Sequence, residues 1–321
     1  LLKDSGGDLK ELLEIAARGD DPEREQRDKR ASFVHKQEVS DAHARKALEA
    51  LQARHKDLFS VEGLFEKVKT APSKEAKLEA FAELQVECFA RLVSALYALH
   101  SLVLLHRVEF NIAGREIAGG KPAEEDSDML AAFLESTRFF KEEGVGRIAP
   151  TVREAVRKHF SEAKMVPSVP VTVEALEGMF TGALGEAHGQ LLGESHSVAT
   201  LLPESVDQEV PEEYRPKVKP LLDETRDYLE SPQFAEVLKL VLAKAAKHIA
   251  NSLGDGADDL EAAPMSGGRS CPLAKLSGHF VELSKTVLDS EGNTCITRFS
   301  EEPVITELCE ALYFQDGAKG Q

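Results

Sequence analysis

The stretch LQVECFARLVSALYALHSLVLLHRVEFNIAGREI, residues 84–117, constrains this chain more than any other. It is apolar over a length that could cross a membrane, yet Glu87, Arg91, His100 and His106 interrupt it. The longest run without a formal charge, Leu92 to Leu105, falls short of the roughly 20 apolar residues a spanning helix needs. A run of that length suits a helix buried within protein. Val86, Phe89, Val93, Leu96, Tyr97 and Leu104 recur at helical intervals. The expected fold is all-α: a single elongated bundle of long helices around a buried central apolar helix.

With 42% hydrophobic residues in 321, the chain can bury a real core, and global disorder is not expected. Its net charge of −17 argues against nucleic-acid binding, which needs clustered Lys and Arg. It also disfavours docking of the whole surface on anionic lipid. Cys88, Cys271, Cys295 and Cys309 show no CxxC spacing and read as free thiols of a reducing compartment. No paired Cys or His lies at zinc-ligand spacing. The chain starts without Met, and residues 1–30 hold no apolar core of a signal peptide. The expectation is a piece of a longer protein, with any membrane anchor upstream.

Along the chain, alternating β-branched runs are almost absent, and the Val-rich piece Val166–Val173 is broken by Pro167 and Pro170. Residues 1–26 are acidic and Gly-containing, with a helical patch at 8–18, and are expected to be a mobile lead-in. Residues 27–314 form the helical domain and 315–321 a tail. Helices are predicted over 26–58, a short piece carrying Leu64, Phe65 and Val68, and a long helix capped by Ser73. Further helices are predicted over 128–142, 149–164, 172–192, 214–230, 232–253, 272–288 and 302–314. Ser231 is placed to cap the helix that Pro232 opens. Gly119-Gly120-Lys121-Pro122 is expected to begin a polar loop through Asp128, residues 254–270 are expected as a second loop, and a Glu-Gly-Asn turn separates the last two helices.

Catalytic signatures are missing: no P-loop, GxSxG, HExxH or kinase pattern occurs. Asp258-Asp259 resembles the start of a DDxxD metal motif of helical isoprenoid synthases. The third carboxylate is absent, however, and the pair sits in a Gly-rich loop. His100 and His106, six residues apart, fall on opposite sides of an ideal helix and read as core or rim histidines. The chain reads as non-catalytic, with no cofactor and no metal.

Three segments carry a family resemblance. LVLLHRVEFNIAG (102–114) is similar to an apolar helix ending in an Arg-Val-x-Leu-Asn-Ile pattern. LLDETRDYLESPQFAEVL (221–238) fits Leu-Leu-x-Glu-Thr-Arg-Asp-x-Leu-Glu-Ser-Pro-x-Phe closely, and PLAKL (272–276) resembles a Pro-Leu-Ala-Lys-Ile element. In this order they resemble the peroxin-three (peroxisomal membrane biogenesis factor) family, over roughly residues 27–314. Taken as residues alone, Arg226 and Asp227 read as charge pairs fixing how two helices meet. Asn111 reads as bonding within its helix or to a neighbour.

The resemblance implies a cytosol-facing helical domain at the peroxisomal membrane, held by an anchor upstream of this chain. It implies a docking receptor for peroxin-nineteen, the import chaperone for peroxisomal membrane proteins, whose N-terminal amphipathic helix lies in an apolar groove. The family's groove has a Trp on the long helix, a Lys one turn before it and a Leu on the preceding short helix. These positions fall on Phe81, Lys77 and Val68, with Leu64, Phe65 and Leu84 as groove walls by helical adjacency. This chain has no Trp, so Phe81 lacks the indole donor and some contact area. Lys77 and Phe81, four apart, share a face. Read without the resemblance, Phe81 is an ordinary core aromatic. The competing function is a helical adaptor that recruits inheritance, turnover or autophagy factors of the peroxisome through another surface.

Overall fold

The computed structural model describes residues 22–118, 124–163, 165–192, 197–203, 205, 210–255 and 270–314. The expected helix at 8–18, the loop at 119–122, most of the loop at 254–270 with Asp258-Asp259, and the tail lie outside the described residues.

The architecture is all-α, as the sequence requires. Helix α1 (Pro22–Leu58) is followed by α2 (Glu62–Thr70) and α3 (Lys74–Ala118). Then come α4 (Glu124–Leu134), α5 (Val145–Glu162), α6 (Val173–Leu192) and α7 (Ser197–Leu201). The C-terminal half holds α8 (Arg215–Leu229), α9 (Pro232–Asp255), α10 (Leu273–Val287), α11 (Thr294–Ser300) and α12 (Pro303–Tyr313). Strand content among the described residues is β1 (Pro170–Val171) paired antiparallel with β2 (Cys271–Pro272). The Pro-broken Val piece thus supplies a minimal ladder whose prolines need no continuing partner.

Helix α3 organises the rest. It has 45 residues, about 68 Å of helix, and every residue from Cys88 to Gly114 is buried. A helix apolar on all sides has to be surrounded, and α1, α2, α5, α10 and α12 pack along it. Ser73 starts it by accepting the Ala76 N–H at 3.1 Å, a cap of the kind that stabilises by about 1 kcal/mol. Ser231 does the same for α9 through the Phe234 N–H at 3.2 Å. Buried side chains of the long helices join one continuous hydrophobic cluster.

The polar residues of α3 hold its neighbours. Arg91 donates to the Phe59 carbonyl after α1 and to Ser284 of α10. Arg107 reaches Gln37 and Asp41 of α1 and Ser300 of α11. Glu87 pairs with Arg153 of α5, and Arg115 donates from Nη2 to both carboxylate oxygens of Glu224 of α8 at 2.5 and 2.6 Å. Asn111 satisfies both of its expected roles, donating to the Arg107 carbonyl and accepting from Gln37. Gly114, at the end of the Asn-Ile-Ala-Gly run, is needed for a close approach. A Cβ there would lie 2.4 Å from the buried Lys36 side chain, whose ammonium donates to the Gly114 carbonyl.

Four expectations are corrected. The loop predicted through Asp128 is already helical from Glu124, the helix predicted over 128–142 stops at Leu134, and after a short turn the chain takes a π-helical turn, Phe140–Gly144. That turn packs against α7, where a Cβ on Gly144 would meet the Thr200 carbonyl at 2.2 Å. The Glu-Gly-Asn turn leads into α11, because the Asn293 side chain accepts the Ile296 N–H and caps a new helix. Arg226 does not join α8 to α9. It pairs with Asp223 one turn earlier and donates to the Pro203 carbonyl.

His100 and His106 are buried, as is His55. Burial pulls their pKa values down to about 4, 3 and 3. Each is neutral in the fold and protonates in the unfolded chain below about pH 6.5. Stability present above that pH is therefore lost as pH falls towards their folded values. Thermal melts should show a lower midpoint at pH 5 than at pH 7, with a smaller drop in His106→Leu, since neither His106 ring nitrogen has a hydrogen-bond partner. An equal drop in both proteins would exclude His106 as a contributor. Glu109 has the opposite sign. Its pKa is raised well above the usual value by burial, so keeping it protonated costs stability as pH rises past the unfolded value.

Candidate partner-binding site

The six residues singled out from the sequence lie on α2 and the first three turns of α3. The joint beneath them is fixed from behind. Phe59 is buried, with the Arg153 guanidinium 4.3 Å from its ring centre and Arg91 on its carbonyl. Ala71 and Pro72 end α2 in extended backbone, since the residue before proline is pushed out of the helical region. Ser73 then starts α3. Across this hairpin Lys67 pairs with Glu83 at 2.5 Å, an exposed pair that water and salt screen.

On α3 the spacing of four and three places Lys77, Phe81 and Leu84 on one face. Their burial is graded along the helix. Lys77 is exposed, Phe81 is partly buried against the core, and Leu84 is 1% exposed. On α2, Leu64 and Phe65 are partly buried, while Val68 points into the core. The structure therefore places Lys77, Phe81, Leu64 and Phe65 where another molecule can reach them. Val68 and Leu84 lie beneath as backing. Lys77 has no ion-pair partner among the described residues.

The sequence reading missed Leu78. It is 53% exposed and lies three residues before Phe81, so the two form an apolar step beside the Lys77 ammonium. Its signal was present as a leucine in an otherwise charged first turn, KEAKLEAF. Also missed was a hollow of about 200 Å³ at the hairpin, lined by Lys67, Pro72, Ala76 and Ala80. It flanks the six residues on the adjoining side of α3 without including any of them. Small side chains at Ala71, Ala76 and Ala80 leave this space.

Covalent chemistry has no support here. Burial pushes the thiols of Cys88, Cys295 and Cys309 up to about 12, 11 and 11, which keeps them protonated and poorly nucleophilic. Among the described residues no group of His, Cys, Asp and Glu is placed to hold a metal ion. What the surface offers is apolar area beside a lysine that has no ion-pair partner among the described residues.

The sequence model of the Peroxin-3 family matches residues 120–314, C-terminal to the hairpin. Peroxisomal biogenesis factor 3 of Bos taurus is 26% identical over 214 residues, covering 60% of this chain and 57% of the relative. The proteins of the same name from Rattus norvegicus and Mus musculus are each 24% identical over 212 residues. In each, 60% of this chain and 56% of the relative are covered. The alignments thus span little more than half the length of these relatives.

Proposed function

The chain belongs to the Peroxin-3 family, and on that premise we propose that it serves peroxisome biogenesis as a non-catalytic docking receptor at the peroxisomal membrane. Its helical domain faces the cytosol, held by an anchor outside this chain. The relatives' shared name, Peroxisomal biogenesis factor 3, supports the process and the organelle. The partner is the amphipathic N-terminal helix of peroxin-nineteen, seated on the α2–α3 hairpin.

The observation that carries this reading is the step of Leu78 and Phe81 beside Lys77. An apolar face of the incoming helix covers Leu78, Phe81, Leu64 and Phe65, and a carboxylate at its edge meets Lys77. Aromatic anchors flanked by a charged rim contribute most of the energy at such interfaces. Phe81 presents a smaller ring than the tryptophan of the family pattern, and the exposed leucine extends the apolar area on the same face.

Titration calorimetry with an N-terminal peroxin-nineteen peptide tests the assignment. Phe81→Ala should weaken binding by over ~2 kcal/mol. Lys77→Glu should weaken it by less in salt, because an exposed rim charge is screened. Unchanged affinity in Phe81→Ala would remove this residue from the interface.

A further inference from the structure

A second cleft lies away from the hairpin, where α9 and α11 meet the middle of α3. Its floor is apolar, made by Leu96, Val241, Ile249 and Phe299, and its volume is about 110 Å³. Its rim carries Lys244, His248, Arg298 and the carboxylate of Glu302. Lys244 is committed to Glu302 at the start of α12. Arg298 contacts the His248 ring and has no carboxylate partner among the described residues. Burial, with Arg298 beside it, lowers the pKa of His248, so the imidazole stays neutral and the guanidinium holds the positive charge.

An exposed apolar residue of α9 lies beside the cleft. Leu240, 43% exposed, lies one turn before Lys244 and next to Val241 of the floor. An apolar site with a second apolar foothold one helical turn away suits an extended partner better than a small molecule. The volume sets the side chain that enters. At about 110 Å³ the cleft is smaller than the roughly 150 Å³ of a cavity that accepts benzene, so it suits a single aliphatic side chain.

We propose that this cleft is a second docking surface, for an acidic amphipathic helix of a partner protein. One aliphatic side chain of that helix fills the cavity between Val241, Ile249 and Phe299. A carboxylate beside it pairs with Arg298, whose planar fork suits bidentate contact. A second apolar residue, one turn along, covers Leu240. The surface is independent of the α2–α3 hairpin.

Selection from a display library of helical peptides on the folded chain tests this. Counter-selection uses Arg298→Glu, which reverses the rim charge, and Ala245→Phe, which fills the cleft from the half-buried side of α9. Thermal melts confirm that both variants are folded. The expected outcome is enrichment of helices with an aliphatic anchor flanked by Asp or Glu. Each should lose about tenfold or more in affinity on either variant and keep it on Phe81→Ala. Binders indifferent to both variants, or anchors flanked by basic residues, would overturn the proposal. A self-associating chain whose dimer is broken by the same two variants would overturn it as well, by making a second copy the occupant.

Discussion

Replacing Phe89 by alanine should lower the free energy of unfolding by about 3–5 kcal/mol, the range for truncating a buried aromatic. Phe89 is 1% exposed and touches three other rings. It stacks on Phe180 at 4.5 Å and 9°, and meets Phe160 and Phe280 edge-on at 5.2 and 5.3 Å. These rings belong to α6, α5 and α10, so one side chain joins four helices. Beyond the area lost, each broken ring pair removes about 0.5–1.5 kcal/mol. Leu78→Ala, on the same helix but open to solvent, should change stability by under about 0.5 kcal/mol. Urea unfolding of the two variants makes the comparison, and a loss below about 1 kcal/mol in Phe89→Ala would refute the cluster as described. Phe89 is only eight residues from Phe81, about 12 Å along the axis, so the same loss should loosen the hairpin's seat.

Arg107→Ala should cost about as much for a different reason. The guanidinium donates to Gln37 at 2.5 Å, Asp41 at 2.7 Å and Ser300 at 2.8 Å. Ser300 in turn donates to Asp41 at 2.7 Å. Removing the cation leaves the Asp41 carboxylate, with 14% of its side chain exposed, without a counter-charge. Breaking a buried pair from one side typically costs about 3–5 kcal/mol. Replacing both partners with apolar groups of similar size is often close to neutral. Arg107→Met combined with Asp41→Leu should therefore be more stable than either single variant. If the two losses add instead, the pair is not coupled and the network is misassigned. Arg107→Lys should rescue poorly, since an ammonium cannot reproduce three divergent contacts from a planar fork.

These two sites mark where the sequence stops being legible. The long apolar segment and the caps at Ser73 and Ser231 could be read directly, because helix periodicity and capping act within four residues. The interruptions at Arg91 and His100, with the charge pattern around them, pointed to a helix buried in protein, and α3 is buried in the bundle. Their partners could not be read. Arg91 is satisfied by Phe59 and Ser284, and Arg107 by α1 and α11, contacts that exist only after the chain has closed on itself. Gly114 is set the same way, by Lys36. The missed helix α11 has a local cause. Asn293 closes a turn and also caps the next helix, and only the first role was assigned. At the hairpin, spacing located the shared face of Lys77, Phe81 and Leu84. It could not grade their exposure, which depends on how α2 lies across α3. Leu78 was overlooked because its neighbours are charged.

The covered state of α3 also has a schedule. Its first layer, α1, leaves the ribosome before it, but α10, which packs extensively along it, ends at Val287. Translation of the intervening residues takes roughly ten to thirty seconds at ordinary rates. Throughout that interval the nascent chain displays a stretch with mean hydropathy 1.7, enough to pass for a membrane span. The cell must keep that stretch from inserting or sticking before that wall arrives.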